Sequence, residues 1–285
     1  LERFGRLLLL GVVLLGLVLG FAPAQAQTYR FAVPLMQMQV FVQPDGSAKI
    51  VYDITFDNST SGDPIDIVDI GMPTNSYDLS SMSASIDGVA LNDIRPSTVV
   101  NQGVEVHLDD QAIAPGQTGI LHFETLVADL VFQDVTKRDY ASMQITPTWF
   151  DGQSVLGDTN LQIAIHVPEG VSPDELLFQD EPFSNKALFE GRAVAVWDFP
   201  AVSLTGPHVV GLSFPKRVMT NIQAMSVWKL ASIWFEQHPN VWLGLGILAL
   251  GLFSFFFLRL SGGTGLSLWF VLCVGLGYLF LRYPL

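Results

Sequence analysis

The chain has 285 residues, of which 49% are hydrophobic, and a net charge of −13. That charge is confined to the middle: residues 28–235 hold 25 Asp/Glu against 10 Lys/Arg, a net −15, while both ends are apolar. Nucleic-acid binding requires a basic surface to neutralise phosphates, so the composition argues against that class of partner, and the same acidity repels anionic headgroups and keeps the middle from lying flat on a bilayer.

The first 26 residues read as an export signal. Arg3 and Arg6 supply a positive start, Leu7 to Phe21 an unbroken apolar run, and Ala22, Ala24 and Ala26 small-residue cleavage sites. The spacing of those alanines predicts a mature chain beginning near Gln25 or Gln27, with an uncleaved anchor as the alternative.

From Tyr29 to Phe214 the hydrophobic period is two. In KIVYDITF, Ile50, Tyr52, Ile54 and Phe56 share a face opposite Asp53 and Thr55. Val104, Val106 and Leu108 alternate with Glu105 and His107, and Leu161, Ile163, Ile165 and Val167 with Gln162, Ala164 and His166. This is the pattern of half-buried antiparallel strands. Turn signals separate the runs at Asp45-Gly46, Asp87-Gly88, Pro115-Gly116, Asp151-Gly152, Glu169-Gly170 and Gly206-Pro207. The prediction is an all-β ectodomain of the antiparallel sandwich type. It is either two small sandwiches, over 28–150 and 158–215, or one large one.

After Lys216-Arg217 the period changes. Ile222, Met225, Trp228 and Ala231 recur at helical spacing over 218–236, a juxtamembrane helix with Trp228, Trp234 and Phe235 placed for a headgroup layer; an ordinary packing helix fits the same periodicity. Residues 241–258 and 266–281 are apolar runs, read as a hairpin of two transmembrane helices turning at Arg259 to Thr264. The lipid bilayer is thus an expected partner. The single cysteine, Cys273, lies in the second run, so the middle holds no disulfide and no thiolate metal site.

The stretches QVFVQPDGSAKIVYDITFDN, APGQTGILHFETLV, TPTWFDGQSVLGDTNLQIAIHVPEGVSP and VWDFPAVSLTGPHVVGLSFPK, spread over most of residues 39–216, resemble the uncharacterised bacterial predicted membrane protein family of the YciQ-like kind. The resemblance implies an extracytoplasmic β domain carried on C-terminal membrane spans. It implies no cofactor and no functional residues.

Motifs that carry chemistry are few. Asp57, Asp63, Asp66 and Asp69 form an acidic stretch that offers oxygen ligands for calcium, at spacings unlike an EF-hand loop; a solvated loop is the competing reading. His107, His122, His166, His208 and His238 show no metal-ligand spacing and read as surface residues. Asp109 and Asp110 are adjacent, so on a strand they would point to opposite faces. Asn58-Ser59-Thr60 fits a glycosylation pattern or a plain turn. There is no GxSxG and no phosphate loop. Trp149 and Phe150, beside a turn, are either core or a partner-facing pair. The reading is a non-catalytic, membrane-anchored binding or scaffolding module with no cofactor and an unidentified protein or glycan partner. The alternatives are an envelope polysaccharide hydrolase and an accessory subunit of a membrane complex.

Overall fold

A computed structural model describes residues 28–223 together with Gly246, Gly251, Phe253 and Ser254. The chain divides into two compact units, residues 1–223 and 224–285. The expected export signal, the second apolar run and most of the first lie outside the described residues. Gly246, Gly251, Phe253 and Ser254 are helical. Among the described residues no helix is long and apolar enough to cross a membrane.

The first unit is all-β. Its strands are β1 (Phe31–Val42), β2 (Ala48–Asn58), β3 (Ile67–Gly71), β4 (Ser83–Ile86), β5 (Val89–Leu91), β6 (Ile94–Pro96), β7 (Gly103–His107) and β8 (Thr118–Val127). They continue with β9 (Phe132–Gln133), β10 (Tyr140–Ile145), β11 (Val155–Leu156), β12 (Thr159–His166), β13 (Leu177–Gln179), β14 (Asn185–Phe189), β15 (Arg192–Val202) and β16 (Val210–Pro215). The described helical segments of this unit are 3-10 turns, as at Asp109–Gln111; that places Asp109 and Asp110 in a turn and not on a strand.

A nine-stranded sheet runs β14-β15-β12-β1-β2-β8-β4-β5, with β11 also on β1. A four-stranded sheet runs β13-β16-β10-β9 and a three-stranded one β3-β7-β6. Period two explains the core: Met36, Met38 and Val40, Ile50, Ile54 and Phe56, Leu121 and Phe123, and Leu161, Ile163 and Ile165 are all nearly inaccessible. They join Met143, Leu212 and Phe214 of the four-stranded sheet and Val68, Ile70, Val104 and Val106 of the three-stranded one in a single cluster. Each large side chain so buried contributes roughly 1.5–3 kcal/mol. Trp197, fully buried, satisfies its indole N–H on the Glu181 carbonyl at 3.0 Å.

Residues 152–158 do not divide this body. β12 pairs in parallel with β1 from Leu35↔Asn160 to Phe41↔His166, so the chain on either side of that stretch shares one sheet. Two hairpins turn on left-handed pairs, Asp87-Gly88 (φ 49° and 84°) and Glu190-Gly191 (φ 49° and 78°). A Gly in the second position suits the twist of two-residue hairpins.

The chain leaves the unit through a tied segment. Arg217 forks onto both oxygens of Glu175, at 2.9 and 2.7 Å, and donates to the Gly170 carbonyl. That fork, with the Ser172 N–H, holds the Glu175 carboxyl down at about 2. Residues 219–223, expected to be helical, are not: Met219 is extended, Thr220 N–H reaches the Pro44 carbonyl, and Gln223 pairs with Phe132. Val218, Met219 and Ile222 pack on the core, and those apolar contacts override the helical spacing.

Asp134 holds the loop between β9 and β10. One oxygen accepts from Thr136 N–H, Thr136 Oγ1 and Lys137 N–H at 2.7–2.8 Å; the other accepts from Ser213 Oγ at 2.6 Å. Burial opposes the charge, but the Ser213 bond and the loop donors outweigh it and leave the carboxyl below its ordinary value. A depressed native pKa stabilises the fold above the unfolded value of about 3.9 and ceases to do so as pH falls through the native value. Asp134→Ala should therefore cost about 2–3 kcal/mol near neutrality. In thermal unfolding of the full chain, the gap between wild type and Asp134→Asn should narrow as the solution is acidified below pH ~4.

Candidate binding face on the nine-stranded sheet

The inner face of the large sheet is core; its outer face is open. Strand register places the outward side chains in rows. One row crosses six strands and is polar throughout: Asp198 on β15, Gln162 on β12, Gln37 on β1, Asp53 on β2, His122 on β8 and Ser85 on β4. Within it Gln37 Nε2 donates to Gln162 Oε1 at 2.8 Å, and His122 Nδ1 lies 2.8 Å from Asp53 Oδ1. In the next row Glu124 takes Lys49 at 2.9 Å and His122 Nε2 at 3.4 Å. The Lys49 ammonium, then His122, hold the Glu124 carboxyl below its usual value.

Over the β1–β12–β15 part of this face lies a shallow depression of about 320 Å³ lined by Gln37, Gln39, Gln162, Ala164, Val196 and Asp198. Its lining combines amides and a carboxylate with apolar groups. His122, opposite Ser85 in register, has a carboxylate near each ring nitrogen, Asp53 at 2.8 Å and Glu124 at 3.4 Å. The arrangement presents a run of side-chain donors and acceptors across the strands.

A third row holds a correction. His166, expected at the surface, is 5% exposed, stacked on Phe41 at 4.3 Å and met edge-on by Phe189 at 6.1 Å. The alternation does point His166 outward, but Phe41 and Phe189 roof it over. Neither ring nitrogen has a partner among the described residues. Burial first, and the Arg192 charge second, push its pKa below the ordinary histidine value.

The acidic stretch does not converge. Asp57 is 3.5 Å from Thr118 Oγ1, Asp63 accepts from Thr28 N–H at 2.7 Å, Asp66 from Tyr29 Oη at 2.5 Å, and Asp69 from Ser97 Oγ at 2.5 Å. Burial, then the Asp66 bond, raise the Tyr29 phenol. Among the described residues no group of three His, Cys, Asp or Glu is arranged to hold a metal. Asn58 is buried, its amide donating to the Asp63 and Ile113 carbonyls, which gives the Asn-Ser-Thr triplet a structural use.

Trp149 and Phe150 part company. Thr148 N–H donates to Tyr52 Oη and Thr148 Oγ1 accepts from Gly71 N–H, which fixes the segment between two sheets. Phe150 then turns inward, edge-on to Phe31 at 5.5 Å and to Phe56 at 5.7 Å. Trp149 turns outward and is 47% exposed. The residues of the polar row escaped sequence reading because they are scattered along the chain, Gln37 and Gln162 alone being 125 positions apart; the outward glutamines of QMQ and LQIAIH were the visible trace.

No family model and no curated protein matches the chain. Among solved structures it is similar to the M1 zinc metallopeptidase of Deinococcus radiodurans, in a mutant bound to a Tyr-Ser-Ala substrate (13% identity, TM-score 0.42) and in another crystal structure of the enzyme (14%, 0.41). The match covers 66% of this chain and only 43% of those chains. At that level it carries no argument about activity.

Three substitutions check this geometry in thermal unfolding of the full chain. Phe150→Ala should cost roughly 2–4 kcal/mol and Trp149→Ala less than about 0.5. His166 is neutral in the fold and protonates on unfolding, so wild-type stability should fall as pH drops below about 6.5. His166→Phe, which removes two unsatisfied nitrogens, should lose that acid sensitivity without loss of stability at pH 8.

Proposed function

We propose that the chain is a membrane-anchored, extracytoplasmic binding module: a β-sandwich ectodomain carried by a juxtamembrane helix and a two-helix hairpin, and displaying the outer face of its large sheet to a ligand. The observation that carries this reading is the row of six polar side chains, contributed by six strands and lying in register on a face that the core does not need. Such a row, aligned across the strands, offers a ligand a continuous run of donors and acceptors. The export signal, the two apolar runs and the acidic middle support placement outside the membrane. The reading is non-catalytic. Trp149 adds an exposed aromatic group for a partner.

Protease added to spheroplasts carrying the full chain should digest residues 28–223 and spare the apolar C-terminal part. Full protection of residues 28–223 until the membrane is lysed would place the β unit on the inner side and end the envelope-binding reading.

A further inference from the structure

We infer that the depression on β1, β12 and β15 binds a neutral polyhydroxylated chain, an uncharged oligosaccharide, laid across the strands. This rests on the proposed binding reading and names its ligand class.

The backbone excludes the commonest competitor. On the face of a sheet the N–H and C=O groups are consumed in the ladder, and β12 is paired on both sides, to β1 and to β15. An extended polypeptide gains its main-chain hydrogen bonds at a strand edge; over this depression it would find none. Recognition there must run through side chains.

Those side chains suit hydroxyls. The bond from Gln37 Nε2 to Gln162 Oε1 fixes both amides and orients them. It leaves the Gln162 amide nitrogen as a donor and the Gln37 carbonyl as an acceptor. Beside them the Gln39 amide and the Asp198 carboxylate have no side-chain partner among the described residues. Neighbouring strands lie about 4.8 Å apart, so donors and acceptors succeed one another along the row at close to the length of one sugar ring. A hydroxyl both gives and takes a hydrogen bond, and vicinal hydroxyls match such an alternation. Ala164 and Val196, which also line it, offer apolar contact to the C–H face of a ring.

Charge narrows the class. Asp198 is the one charged group lining the depression, and no cation lines it. An acidic polysaccharide would set its carboxylates against Asp198 with nothing to balance them.

The test is calorimetric titration of the full chain in lipid nanodiscs with cellohexaose, maltohexaose and chitohexaose, with hexagalacturonate as the anionic probe and reduced carboxymethylated lactalbumin as the unfolded polypeptide. At least one neutral hexaose should bind with a Kd of about 1 mM or tighter. Affinity should drop about tenfold in Gln162→Ala and in Asp198→Ala and hold in Val99→Ser, on an exposed loop of the three-stranded sheet. Hexagalacturonate should not bind. If no neutral hexaose binds, or if binding ignores both substitutions, the inference is wrong. Binding of the unfolded polypeptide alone, sensitive to Gln162→Ala, would also overturn it while leaving this face as the binding surface.

Discussion

The structure depends on β1 being hydrogen-bonded along both sides. On one side it runs antiparallel to β2, the ordinary product of the Pro44-Asp45-Gly46 turn. On the other it runs parallel to β12, which enters the sheet only after the whole of β2 to β11 has been laid down. A parallel neighbour needs a crossover, and here the crossover is most of the domain. This pairing brings Gln37 beside Gln162, joins the early and late parts of the unit into one core, and creates the depression between them. A contact spanning so much chain carries a large loop-closure cost before it returns anything. The dense apolar inner face of β1, β2 and β12 offsets that cost.

The fold class was legible because burial on one face leaves period two in the residues. Ile50, Tyr52, Ile54 and Phe56 alternate in the chain and are all buried in the fold. Turn chemistry was legible for the same local reason: Asp87-Gly88 and Gly46 take the left-handed conformations their residue types permit. Sheet order was not legible, because period two says which face a residue takes and nothing about its neighbour across the ladder. Glu105 shows the limit. Its alternation marks it as outward, yet the Thr98 loop folds over it and supplies two donors. Residues 218–223 show another, since apolar spacing that fits a helix is met here by packing on the core.

Exposure also sorts residues that look alike in sequence. Trp149 and Phe150 are neighbours of similar bulk, and only the anchoring of Thr148 between Tyr52 and Gly71 decides which one enters the core. Asp57, Asp63, Asp66 and Asp69 look like one acidic group, but each is occupied by a different partner. Conversely, Gln37, Gln162, Asp53 and His122 look like unrelated outward residues until the ladder aligns them. Their significance lies in register, which is a property of pairs of strands.

The tied exit of the first unit bears on how the domain would carry load. β16 lies between β10 and β13 and ends where the chain departs. Tension applied beyond Gln223 would first strain the Arg217–Glu175 fork and the Gln223 bridge to Phe132. Past those, the pull would reach β16, which is hydrogen-bonded to a neighbour on each side. The outlying links would act as sacrificial fuses, breaking and re-forming under small fluctuating loads while the core and the open face keep their shape.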